Sequence, residues 1–103
     1  MTLRDVLAVV AAELDQVTTG VASDGGIVWS RAGTPFAILN EEGAAAEFRL
    51  DSAVASAAIR TPDTVMSSRG PGWVLFRPAT LDAHGADRAT AWLRSACRHA
   101  STS

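Results

Sequence analysis

The chain has 103 residues, of which 48% are hydrophobic and 19% are charged, and its formal net charge is −2. This size and composition predict a single domain over residues 1–103 with one hydrophobic core, and they exclude a disordered, fibrous or membrane-spanning chain. All nine basic residues are arginines, and the weakly acidic balance is not the basic footprint of a strong nucleic-acid binder.

The N-terminal segment is predicted to form a helix. Thr2 and Asp5 make a capping-box-like start, and apolar residues recur at helical spacing up to Val17. Two β-branched residues and a glycine follow, so the helix should end near Thr18 to Gly20. Residues 21–26, which contain Asp-Gly-Gly, should form a loop.

Three strands are predicted after this loop. The apolar residues 27–29 and the segment 35–39 flank a short turn that contains Gly33, which is typical of a hairpin. The segment 44–50 then alternates between apolar residues and residues such as Arg49. This alternation predicts a strand with one buried face and one exposed face.

A short helix and a second hairpin are predicted next. Asp51 or Ser52 should cap the helix, which should end at Ile59 before a Thr-Pro-Asp stop. Residues 65–67 and 73–76 then flank a turn that contains Gly-Pro-Gly, and they should pair as antiparallel strands.

The last helix is predicted to begin at Asp87, or as early as Asp82. The predicted order is therefore α-β-β-β-α-β-β-α, with about five strands in two hairpin units and three helices. Consecutive hairpins imply an antiparallel sheet covered by helices, which is an α+β fold. Trp29 and Trp92 should lie in the core.

Two arginines at or beside the hairpin tips are the first candidate binding residues. Arg31 and Arg69 could each reach a phosphate, although a solvated loop arginine is the simpler interpretation. Two such residues make few phosphate contacts, so we expect any DNA binding to be weak and salt-sensitive.

The second group of candidate binding residues depends on which face of the last strand points to the core. If Val74 and Phe76 face the core, Trp73 and Arg77 lie on the opposite face, beside Arg49. An exposed aromatic residue flanked by arginines suits base stacking, an anionic ligand or a protein partner. The opposite register would bury Trp73, and we favour burial because tryptophans in small domains usually contribute core area.

No catalytic or metal-binding motif is predicted. His84 lies between Asp82 and Asp87, but no second histidine or cysteine stands at ligand spacing. Cys97 and His99 are two residues apart on a helix, so their side chains point in different directions. No nucleophile elbow, dinucleotide fingerprint or phosphate loop is present. We therefore expect a non-enzymatic protein without a cofactor or metal. The single cysteine and the lack of a predicted secretion signal favour the cytoplasm.

The order of elements resembles the MmcQ/YjbR family of small bacterial α+β proteins, and the resemblance covers nearly the whole chain. It rests on a helix that ends at Ile59 and on the segments GIVWSRAGTPFAIL, AEFRLD, GPGWVLFRP and DRATAWLRSACRHA. Two positions differ from the family pattern. Thr34-Pro35 stands where a lysine often precedes the Phe-Ala pair, and Ala96 stands where an aromatic residue commonly follows the serine of the last helix.

Members of this family are commonly labelled DNA-binding, through a fold described as double-winged. The resemblance thus implies a YjbR-like double-wing fold, with Arg31 and Arg69 as wing-tip contacts to DNA. The alternative function is a protein-interaction or homodimerisation module that uses the outer sheet face around Trp73, Leu75 and Arg77.

Overall fold

Three helices and six strands make up the computed structural model, which describes residues 2–102. In chain order they are α1 (Leu3–Glu13), β1 (Val17–Val21), β2 (Ile27–Arg31), β3 (Thr34–Leu39), β4 (Ala46–Arg49), α2 (Ser52–Ala58), β5 (Thr64–Met66), β6 (Trp73–Phe76) and α3 (Ala83–Thr102). The strands form one antiparallel sheet in the order β1-β2-β3-β4-β6-β5. The predicted α+β class with three helices is confirmed, whereas the predicted number of about five strands is wrong.

The additional strand, β1, lies where the sequence predicted the end of the first helix and a loop. The helix stops at Glu13 because Leu14 is extended, and Gln16, at φ 62°, then reverses the chain. The β-branched residues 17–19 favour the extended backbone that follows. Leu14 and Val17 still pack against the core, which explains why their spacing resembled a continuing helix.

The helix starts agree with the predicted caps. Side-chain oxygens of Thr2, Asp51 and Asp82 accept hydrogen bonds from backbone N–H groups in the first turns of α1, α2 and α3, at 3.1, 3.0 and 2.7 Å. These bonds satisfy donors that the first helical turn cannot pair internally. The last helix therefore uses the earlier of its two predicted starts. Within the described chain, no helix has the length and apolar character needed to cross a membrane.

A single core lies between the helices and one face of the sheet. Trp92 of α3 packs its ring against those of Phe48 in β4 and Phe76 in β6, with centroid distances of 6.1 and 5.4 Å. Trp29 of β2 is also buried, so the predicted core positions of both tryptophans are confirmed. Helix α2 buries two alanines in the same core, Ala55 and Ala58. All three helices therefore cover the same face of the sheet.

Candidate binding surface on the outer face of the sheet

The second face of the sheet carries no helix of the described chain. In β6, Val74 and Phe76 are fully buried in the core, so Trp73 and Leu75 point to the opposite side. We call this side the outer face. Its central residues lie outside the core cluster: Val28, Ile38, Glu47, Arg49, Val65, Trp73 and Leu75.

Trp73 is half-buried on the outer face, and the expectation that it would be a core residue is wrong. The alternative orientation, in which Val74 and Phe76 face inward, is the observed one. A shift by one residue would move both of those side chains out of the core, which fixes the orientation of the whole strand. The register with β4 then places Arg49 directly opposite Trp73.

Arg69 is held above Trp73 by a small hydrogen-bonded cluster. Its Nε donates to Glu47 Oε2 at 2.7 Å, and its guanidinium carbon lies 5.9 Å from the centre of the Trp73 ring. Ser67 donates its hydroxyl proton to the other oxygen of the Glu47 carboxylate, and the backbone N–H of Arg69 donates to Ser67 Oγ at 3.2 Å. The charge of Arg69 is therefore balanced by Glu47, and its stacking on the indole is preorganised.

Arg49 carries a charge that the described chain does not balance. Its side chain is half-buried beside Trp73, and within residues 2–102 its guanidinium has no hydrogen-bond or ion-pair partner. A guanidinium without a counter-ion can pair with an anionic ligand without first breaking an ion pair. Arg49 is therefore the strongest single candidate for contact with an anion.

The other two predicted arginines lie elsewhere. Arg31 points to the helix-covered side, where its Nη1 donates to the buried Cys97 Sγ at 3.5 Å. Arg77 is exposed one residue after β6, and its backbone N–H donates to the Asp63 carbonyl at 2.9 Å. It lies about 13 Å from Trp73 along the strand direction. The structure thus brings together Arg49, Arg69 and Trp73, but not Arg31 or Arg77.

Two side chains of this cluster, those of Glu47 and Ser67, were not predicted from the sequence. Glu47 alone among the eleven acidic residues lies in a strand. It meets Arg69 because β4 pairs with β6 and not with β5, the next strand in the chain. The period-two pattern of β4 placed Glu47 on the exposed face, and that was the available signal for its role.

Neither a metal-binding group nor a match to a known protein assigns a function to this surface. Within residues 2–102, no group of three or more His, Cys, Asp or Glu side chains is arranged to hold a metal ion. No protein-family model, curated protein or solved structure gives a significant match to the chain. The MmcQ/YjbR resemblance therefore stays a prediction.

Proposed function

We propose that this protein is a non-enzymatic cytoplasmic domain that binds single-stranded nucleic acid, in the first instance DNA, across its outer face. The observation that carries the proposal is the position of Arg49, which has no ion-pair partner within residues 2–102 and lies directly opposite Trp73. A base can stack on the Trp73 ring when Arg69, which lies over that ring, turns toward a phosphate, while Arg49 contacts the nucleic-acid backbone. The resemblance to a family labelled DNA-binding supports the same class of ligand.

A splayed single strand suits this geometry better than a duplex held between two wings. Arg31 lies on the helix-covered side with Cys97, whereas Arg69 lies above Trp73 on the outer face. A duplex that reached Trp73 would therefore not meet both hairpin arginines. Unpaired bases, in contrast, can stack on a flat surface that offers an indole and aliphatic side chains.

We expect the affinity to be modest. Near Trp73, two arginines face one carboxylate, that of Glu47, so few phosphates can be neutralised. Non-specific dissociation constants are roughly 1–100 µM at physiological salt, and few phosphate contacts place this protein at the weak end of that range. Each contact on a single strand adds about −0.7 to the slope of log K against log salt. Stacking on Trp73 adds about 1–3 kcal/mol per base.

Replacing Arg49 or Trp73 with alanine should weaken binding of a fluorescein-labelled oligo(dT), measured by fluorescence anisotropy at low salt. We expect each substitution to raise the dissociation constant by about tenfold, because R49A removes the unbalanced charge and W73A removes the stacking surface. R98A is the matched control, since Arg98 is an exposed arginine of α3. Absence of binding at about 100 µM protein, or an equal loss in R98A, would exclude this function.

Replacing Glu47 with glutamine should strengthen binding of the same oligonucleotide. Glu47 competes with phosphate for Arg69 through the 2.7 Å ion pair, and E47Q removes the charge while keeping the side-chain volume. We expect roughly three- to tenfold higher affinity and a steeper salt dependence. E13Q is the control, because Glu13 pairs with Arg94 between α1 and α3 at 3.2 Å. Equal behaviour of E47Q and E13Q would show that the ligand does not use Arg69.

A protein partner is the second candidate function. The strand register aligns four aliphatic side chains across the outer face, in a row that only Glu47 interrupts: Val28, Ile38, Leu75 and Val65. Ile38 is itself buried among its neighbours, so the other three offer the accessible apolar surface. An interface through this row would be insensitive to salt, whereas phosphate contacts are not. A salt-independent complex that W73A weakens, in a protein that binds no oligonucleotide, would favour this second function.

A further inference from the structure

The sheet ends in two edge strands of different character. β5 has three residues and follows Pro62 and Asp63, and a short strand beside proline and charge limits pairing with other chains. β1 has five residues, VTTGV, without a charge or a proline. Its last residue, Val21, is 83% exposed. β1 is therefore an unprotected edge of the kind that accepts another strand.

The free hydrogen-bonding groups of β1 belong to alternate residues. Next to the turn, the N–H of Ala22 donates to the carbonyl of Gly26 at 2.9 Å, which identifies Ala22 as a residue hydrogen-bonded across the hairpin. Antiparallel alternation then directs the backbone groups of the even-numbered residues toward β2 and those of the odd-numbered residues outward. No other described strand lies on that side. The outward-directed residues are Val17, Thr19 and Val21.

We propose that two copies of the chain pair antiparallel through β1, about a two-fold axis at Thr19. Because Thr19 is the central residue of the strand, this axis pairs every residue of β1 with one of the second copy. Thr19 meets Thr19 of the second copy, and Val17 meets its Val21. Each of these pairs joins outward-directed residues and can exchange two backbone hydrogen bonds. Any other two-fold register leaves an outward-directed residue unpaired.

We call the contact between the two β1 strands the seam. Apolar side chains beside it also contribute to association. Val17, Thr19 and Val21 lie on the helix-covered side, since Thr19 pairs with Trp29. An open depression of about 270 Å³ lies there between β1 and the alanines of α1. Pairing brings Val21 of the second copy next to Val17 at the mouth of this depression. Val21, the most exposed large hydrophobic side chain of the described residues, is thereby removed from water.

The charges at the two ends of β1 predict how the pair responds to salt. Asp15 precedes the strand and Asp24 follows it. Antiparallel pairing brings Asp15 of one copy to the same end of the seam as Asp24 of the other. Salt screens repulsion between these carboxylates, so association should strengthen as salt rises. Nucleic-acid binding should weaken under the same conditions, and this separates the two proposals.

Sedimentation velocity of the whole chain tests the pairing. A seam this small predicts a reversible dimer, seen between about 10 and 500 µM protein. V21K and T19K should each raise the dissociation constant by at least roughly tenfold, because they place charge in the seam and T19K places it on the axis. V65K is the matched control on the β5 edge, where Val65 is 57% exposed. It should leave the dimer unchanged.

Amide hydrogen exchange gives an independent reading at single residues. The amides of Thr18 and Gly20, which point to β2, should be protected at every protein concentration. Those of the outward-directed residues should become protected only as concentration rises. A chain that stays monomeric at about 500 µM would overturn the proposal. So would a dimer that V65K or W73A dissolves and V21K does not, because its contact would lie at β5 or on the outer face.

Discussion

Replacing Trp92 with alanine is expected to lower the free energy of unfolding by about 3–5 kcal/mol. Trp92 is buried on α3 and packs edge-on against Phe76 and at a tilt against Phe48, with centroid distances of 5.4 and 6.1 Å. Those two phenylalanines belong to β6 and β4, so a single indole joins α3 to the two strands that carry the proposed binding surface. Urea denaturation followed by circular dichroism measures the loss.

W73A is the matched control for this experiment. It makes the same substitution on the outer face, where Trp73 lies opposite Arg49 and beneath Arg69 and is not a member of the core cluster. Trp73 is half-buried and leaves no cavity in the core when it is truncated, so W73A should cost clearly less than W92A, about 1–2 kcal/mol. If W73A destabilised the protein as much as W92A, Trp73 would be a core residue and the outer face would not be a binding surface.

Strong local patterns were enough to predict most of the fold. The alternation in β4 correctly identified Phe48 as buried and Arg49 as outward, because a half-buried strand exposes every second residue. The same rule, applied to β6, correctly gave an outward-pointing Trp73 as one of two alternatives. The preference for burying that tryptophan failed because Val74 and Phe76 already fill the core beneath β6.

The first strand shows where local pattern was not sufficient. Leu14 and Val17 are three residues apart, which fits one turn of a helix, yet both reach the core from non-helical backbone. The reversal occurs at Gln16, at φ 62°. Glutamine is not a residue type typical of that conformation, unlike glycine or asparagine. The break in the helix therefore had no composition signal, and β1 was missed.

Part of the proposed binding surface could be predicted from the sequence, and part could not. Parity along β2 was available from the sequence, and with Trp29 in the core it would have placed Arg31 on the same, helix-covered side. The contact between Glu47 and Arg69 was not available, because it requires β6 to insert between β4 and β5. Strand order in a sheet is set by long-range packing, and hairpin signals do not determine it.

Replacing Gly72 with alanine is expected to destabilise the protein by about 2–4 kcal/mol. Gly72 has φ +83°, and a Cβ at this position would lie 2.6 Å from the carbonyl oxygen of Leu50. The backbone approaches closely here because the Leu50 N–H donates to the Gly72 carbonyl at 2.8 Å, which ties the end of β4 to the start of β6. Relief of the clash must therefore move Trp73 away from Arg49.

G33A separates the steric clash from the cost of the backbone conformation. Gly33 has nearly the same angle, φ +82°, but no atom lies within 4 Å of its Cβ position. G33A should therefore lose only the stability that the strained left-handed backbone costs an alanine, about 1–2 kcal/mol. Because Gly72 directly precedes Trp73, G72A should also weaken oligo(dT) binding, while G33A should not. Equal losses of stability in the two variants would mean that the join between β4 and β6 is loose, and that Arg49 and Trp73 are not held as one surface.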